Sequence, residues 1–238
     1  MPTDSHNLVV RAANALRDRF EIKKGARIRL EKRIPTHAGL GGGSSDAAAT
    51  LMGLTRLWEL RATRHELSDL TVRLGADVSF FLYGGTARGT GIGEHIMPLE
   101  DGPDAHLLIV KPNVNISSAD AYRTLDERSL TSLNSKTILS RSDAKEVFDN
   151  QYFASLQNDF EAAAFSPASE ITRAKAALIT AGARTAMLAG SGSAVFGIFD
   201  SENAQRRAIQ TIELETGWRV FPCKTVGRRD YESMLSLA

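Results

Sequence analysis

Four glycines, Gly39, Gly41, Gly42 and Gly43, fall within five positions of a segment that runs from Pro35 through Thr36, His37, Ala38 and Leu40 to Ser44, Ser45 and Asp46. They follow a strand-like run over residues 27–34 and lead straight into a strongly helical stretch starting Ala47-Ala48-Ala49. A glycine-rich loop is thereby delivered to a helix N-terminus. Glycine accepts the left-handed backbone region and leaves no Cβ between its N–H and an approaching anion. The helix adds unpaired N–H groups and about half a positive charge at its start. Ser44 and Ser45 are placed to cap the helix or to turn a hydroxyl to a phosphate oxygen or Mg²⁺.

A Gly/Ser loop between a strand and a helix is often a plain connection, and glycine clusters are weak motifs singly. Here the glycines abut a helix start, which favours a phosphate cradle. Two familiar designs are excluded by spelling. No Gly-Lys-Ser or Gly-Lys-Thr occurs in the chain, so there is no P-loop. Counted from Gly39 or Gly190, the sixth position of the dinucleotide fingerprint is Ser44 or Val195 rather than glycine.

The run from Pro35 to Ala48 resembles the second motif of the GHMP kinases, the galactose, homoserine, mevalonate and phosphomevalonate kinases. Its extra glycine before Ser44-Ser45 is similar to the branch that phosphorylates a cytidine diphosphate-linked methylerythritol in non-mevalonate isoprenoid synthesis. Gly75-Ala76-Asp77-Val78-Ser79-Phe80-Phe81 resembles another segment of that branch, with Ser79 where proline is usual. So do Gly84-Gly85-Thr86-Ala87 through Gly91-Ile92-Gly93-Glu94, and Asn158-Asp159-Phe160-Glu161. Ala189 to Phe196, containing Gly190, Ser191, Gly192 and Ser193, is similar to the third GHMP motif. The family's first motif, a lysine-bearing N-terminal strand, has no counterpart here. The resemblance therefore implies a member lacking its N-terminal segment, and a start codon read too far downstream is the expectation for its absence. Lys111-Pro112-Asn113-Val114-Asn115 has a superficial likeness to that motif but follows a core strand.

By this resemblance the fold is α+β and two-lobed, with a ribosomal-protein-S5-like N-terminal lobe over residues 1–104 and a ferredoxin-like C-terminal lobe over 105–238. The implied activity is transfer of phosphate from ATP, as Mg·ATP, to the 2-hydroxyl of the cytidine diphosphate-linked substrate. ATP is expected along Pro35 to Ser45. Asp77 precedes an apolar turn where partial desolvation suits a general base. Its residue type fits equally a cap of the short Ser79-Phe80 turn, and the resemblance assigns it to catalysis. Thr86, and Tyr122 as a stacking aromatic, are further expected contacts, and Gly190 to Ser193 are expected to shape the nucleotide cleft by backbone. His37 reads as an exposed spacer. No metal ligand set is assigned. Two alternatives stay open: a homoserine or mevalonate type of kinase, or a nucleotide-binding protein without catalysis.

The 238 residues hold enough apolar content for a large domain or two small ones. A formal net charge of +1 gives no basis for a nucleic-acid or acidic-membrane partner. Cys223 is the only cysteine, so no internal disulfide forms, and a small core role suits it better than nucleophilic catalysis. No apolar run reaches the ~20 residues that span a bilayer. The expectation is a cytoplasmic enzyme with a small-molecule substrate, either a monomer or a weak homodimer.

Periodicity predicts helices over residues 7–20, 45–58 and 63–74, with Ser45 or Asp46 capping the second and Thr63 with Glu66 forming a capping box on the third. Residues 84–99 read as a hairpin and 107–110 as a core strand, followed by a helix over 119–125 and an irregular stretch over 126–149. Thereafter helix (167–181), strand (185–188), strand (194–199), helix (202–215) and strand (219–225) alternate.

Overall fold

The computed structural model describes residues 4–115, 158–161, 169–213 and 215–236. It divides into two compact units, one of Met1–Ile34, Gly41–Asp101 and Val226–Ala238, the other of Pro35–Leu40 and Gly102–Thr225.

The first unit is built on helices. α1 (Leu8–Arg19) starts where the Asn7 side chain accepts the Val9 N–H at 2.9 Å, and it buries Val9, Ala12 and Leu16, a 3–4 spacing that lines one face. That face packs on α2 (Gly42–Leu57), which buries Ala47, Ala48, Leu51 and Leu54. α3 (Arg64–Thr71) carries the expected capping box: Glu66 N–H donates to Thr63 Oγ1 at 3.2 Å and Thr63 N–H to Glu66 Oε2 at 2.8 Å. α4 (Ala76–Phe80) follows Gly75. β1 (Ala87–Thr90) and β2 (His95–Pro98) form an antiparallel hairpin, whose turn uses positive φ at Gly91 and Gly93.

A final helix of this unit (Arg228–Ser236) lies beyond the elements that the sequence pattern predicts. Asp101 organises its first turn, accepting the Arg228 N–H at 2.6 Å and the Thr86 N–H at 2.8 Å. The Arg228 guanidinium donates in turn to the carbonyls of Leu99 and Thr86 at 3.0 and 2.6 Å. A cap supplied from residue 101 leaves no local signal near residue 228.

The second unit is a four-stranded antiparallel sheet of β3 (His106–Lys111), β4 (Thr185–Leu188), β5 (Val195–Phe199) and β6 (Arg219–Lys224), in the order β4-β5-β3-β6. α5 (Glu170–Thr180) precedes β4, and α6 (Glu202–Ile212) joins β5 to β6. In order of appearance the strands lie second, third, first, fourth, which is the ferredoxin-like arrangement. Leu108, Val110, Ile171, Leu178, Leu188, Val195 and Ile212 form its core. The helix at Arg228–Ser236, which follows β6, is α7.

Two expectations are corrected. Residues 27–34 form no strand: no described strand runs beside them, so their backbone groups make no ladder, and alternation alone does not create one. α2 begins at Gly42, three residues before the expected start, because left-handed Gly41 (φ 64°) already turns the chain into the helix. The helix expected over 119–125, Tyr122 within it, and the stretch 126–149 lie outside the described residues.

Candidate functional site

The glycine-rich loop is shaped by close approach of backbone to backbone. Gly39 has φ 72°, and a Cβ there would stand 1.8 Å from the Ala189 carbonyl oxygen. A Cβ on Gly192 would stand 1.9 Å from the Gly39 nitrogen. Residues 35–40 thus lie against the turn over 189–194 with only glycine able to fit. The Ala194 N–H donates to the Ala38 carbonyl at 3.2 Å, and Ala38, Ala189 and Ala194 are buried together.

Side chains also hold this turn, a role expected of its backbone alone. Ser193 is fully buried, and its Oγ lies 2.7 Å from the Val114 carbonyl and 3.1 Å from that of His37. Asn158 Nδ2 donates to the carbonyls of Leu188 and Gly190, both at 2.9 Å. Glu161 accepts the Leu188 N–H at 2.9 Å and pairs with Lys175 at 2.7 Å. The segment 158–161 therefore clamps the second glycine turn from both sides. The Val114 carbonyl is shared with the buried Lys111, whose Nζ also donates to Pro112 O at 2.8 Å. Burial, with the Arg219 charge paired opposite on β6, holds the Lys111 ammonium below its ordinary pKa.

After Leu40 the loop enters α2. Ser45 N–H donates to Gly41 O at 2.8 Å, the first bond of the helix. The N–H groups of Gly42, Gly43 and Ser44 precede that bond and have no helical acceptor. No side chain caps them. The residues expected to do so are engaged elsewhere: Ser45 Oγ donates to the Gly42 carbonyl at 3.0 Å, and the Asp46 carboxylate forms an ion pair with Lys32. A half-exposed, uncapped helix start carrying two glycines is what an anion needs.

Asp77 lies in the first turn of α4 and is exposed, so the desolvation expected of it is not present in the free chain. Phe81, which ends α4, presses on the start of α2: a Cβ on Gly41 would meet its ring at 2.8 Å. The helix that carries Asp77 therefore abuts the start of α2. Behind Asp77, Ser79 is buried and its hydroxyl pairs with that of Thr71. Thr86 precedes β1 and is fastened by Asp101 through its N–H. His37 is exposed with φ 53°, as a spacer would be. Burial pushes the Cys223 thiol above its usual pKa, which disfavours a thiolate. Among the described residues no three His, Cys, Asp or Glu side chains gather as a metal site, and no helix is long and apolar enough to cross a membrane.

Comparison with known proteins shows the family. Residues 7–85 match the GHMP kinases N terminal domain and residues 138–215 the GHMP kinases C terminal domain. A 4-diphosphocytidyl-2-C-methyl-D-erythritol kinase of Bacillus cereus (strain AH187) is 39% identical over 235 residues, which cover 97% of this chain and 78% of the relative. A crystal structure of 4-(cytidine 5'-diphospho)-2C-methyl-D-erythritol kinase superposes with a TM-score of 0.75 at 32% identity, covering 95% of this chain and 81% of that one. Methanococcus jannaschii mevalonate kinase shares the fold, with a TM-score of 0.69 at 15% identity, over 94% of this chain and 77% of its own.

Proposed function

This chain belongs to the GHMP kinase family, and we propose that it transfers the γ-phosphoryl group of ATP to the 2-hydroxyl of 4-diphosphocytidyl-2-C-methyl-D-erythritol, a step of isoprenoid precursor synthesis. One observation carries the choice of substrate: 39% identity across 97% of the chain to a kinase of that name. The mevalonate kinase likeness, at 15% identity, speaks for the fold alone.

The geometry supports the reading at the level of chemistry. Phosphoryl transfer needs positioning and charge stabilisation more than covalent chemistry. The N–H groups of Gly42, Gly43 and Ser44 are the donors for the nucleotide phosphates, and the missing side-chain cap leaves that place to them. Asp77 takes the proton of the attacking hydroxyl, from a short helix held against the cradle by Phe81. Mg²⁺ supplied with ATP would be held mostly by waters and phosphate oxygens and would offset charge on the transferring group. Ser45 fits it as an oxygen donor, since its hydroxyl proton is directed to Gly42 O and the lone pairs face away. We place the work in the cytoplasm, on a small-molecule substrate.

The test is single-turnover transfer from labelled ATP to the cytidine diphosphate-linked acceptor, with homoserine and mevalonate as competing acceptors and CDP as inhibitor. Transfer to the first acceptor, inhibited by CDP, is the expected outcome. Transfer to homoserine or mevalonate instead would reassign the substrate, and ATP binding without any transfer would leave a nucleotide-binding protein.

A further inference from the structure

Residues 27–34 place Ile28, Leu30 and Ile34 at alternate positions, and Lys32 occupies the remaining place in that apolar series. The burial follows the alternation at the centre of the run: Leu30 and Lys32 are half-buried, while Arg29, Glu31 and Arg33 are exposed, and Ile28 and Ile34 towards its ends are exposed as well. A charge on the inward side of such a run needs a partner there. Lys32 finds Asp46, in the second turn of α2, and the two side chains are only 18% and 21% exposed. Glu31 and Arg33, by contrast, pair with each other in solvent.

The position of this ion pair is the informative part. A Cβ built on Gly42 would lie 3.3 Å from Lys32 Nζ and 2.8 Å from Ile34 Cγ2. The ammonium is therefore within ~5 Å of the Gly42 Cα, allowing one carbon–carbon bond of ~1.5 Å. An oxyanion accepting the Gly42 N–H would stand ~2.9 Å from that nitrogen. Rotation about the flexible end of the lysine chain is the movement that would turn Nζ from Asp46 towards such an oxygen. Lys32 is the charged side chain that the described structure sets beside Gly42. Nothing in the shape of α2 calls for it, because Asp46 in an early turn is already favoured by the helix dipole.

We infer that Lys32 is a phosphate-binding residue of the cradle and that Asp46 is its resting counterion, which the ammonium leaves when the nucleotide arrives. The inference rests on the kinase reading above and adds to it the cation that faces the phosphates. It also assigns the segment 27–34 a task besides packing.

The experiment is calorimetric titration of the folded chain with ATP, ADP, AMP and adenosine, in wild type, Lys32→Met, Lys32→Arg and Asp46→Asn, each checked by circular dichroism. A charge-assisted hydrogen bond predicts that Lys32→Met weakens ATP binding ~10-fold or more. AMP and adenosine should be affected far less. Lys32→Arg should stay within a few fold of wild type, and Asp46→Asn should bind ATP as well as wild type or better. Unchanged ATP affinity in folded Lys32→Met, or an equal loss for ATP and adenosine, would make the pair a structural staple only. Should Lys32→Met fail to fold, Asp46→Asn decides: weaker ATP binding there overturns the inference. Absence of ATP binding by wild type overturns the kinase reading and this inference together, whereas normal wild-type binding with an indifferent Lys32 overturns this inference alone.

Discussion

Ser79 donates its hydroxyl proton to Thr71 Oγ1 inside the first unit. The direction follows because the Thr71 hydroxyl itself donates to the Ser68 carbonyl, 2.6 Å away. Both residues are buried, so the pair fastens the C-terminal half of α4 to the end of α3, two residues from Asp77. Ser79→Ala should cost ~1–2 kcal/mol, since it leaves the second lone pair of Thr71 without a partner. Chemical denaturation measures it, and a double-mutant cycle with Thr71→Val should show coupling between the two sites.

Asp77→Asn preserves shape and removes the proton acceptor. Turnover should fall by ~10²-fold or more, with ATP affinity unchanged. The paired measurement is steady-state phosphoryl transfer and ATP titration. Activity within a few fold of wild type would make Asp77 a structural residue of α4.

Two glycines give opposite expectations for the same substitution. Gly53 lies in α2, exposed, with nothing within 4 Å of an added Cβ. Gly53→Ala should therefore raise stability by ~0.5–1 kcal/mol through helix propensity. Gly39→Ala combines a left-handed backbone with a contact to a carbonyl oxygen at 1.8 Å. It should lower stability by ~2 kcal/mol or more and weaken ATP binding with it. Thermal melts of both variants check the pair.

Asp101 gives an acid-side prediction. Burial pushes its carboxyl pKa up, but the N–H groups of Arg228 and Thr86 and the Arg228 charge outweigh that and leave the pKa below the ordinary value. A carboxyl with a depressed folded pKa stabilises fully above its unfolded pKa, and the contribution is lost as pH falls through the folded one. Asp101→Asn should cost ~1 kcal/mol at neutral pH, the usual scale of a lost helix cap. The difference from wild type should shrink below about pH 4, near the unfolded carboxyl pKa. Urea melts from pH 7 to pH 3 test it, and a constant difference across that range would remove Asp101 from the account.

Local chemistry explains which parts of this fold the sequence discloses. Thr63 announces its helix because the cap lies within three residues of the N–H it satisfies, and α1 announces itself by its apolar period rather than by the Asn7 cap. β4 appears where the pattern puts it, Thr185–Leu188, because the helix before it and the glycine turn after it mark both ends. Long-range partners are where the reading stops. α7 depends on an aspartate more than a hundred residues away, and the roles of Asn158 and Glu161 emerge only when Leu188 and Gly190 are brought to them. Glycines at a helix start are legible in the sequence, but not that Gly41, rather than a serine or aspartate, is the residue that caps the helix. Ser45 and Asp46 have capping side chains, and the competition for them by Gly42 O and Lys32 is a tertiary matter.

The bare start of α2 has a thermodynamic consequence. A sixteen-residue helix that supplies no side-chain cap of its own begins with three donors whose best partner comes from solution. Whatever anion fills that place completes the secondary structure, so occupancy and folding become one linked equilibrium. By mass action a ligand at a hundred times its dissociation constant stabilises the folded state by ~2.7 kcal/mol. The melting temperature of this chain should accordingly report the nucleotide concentration around it, climbing with the logarithm of ATP, and an empty cradle is the state in which the protein is easiest to unfold.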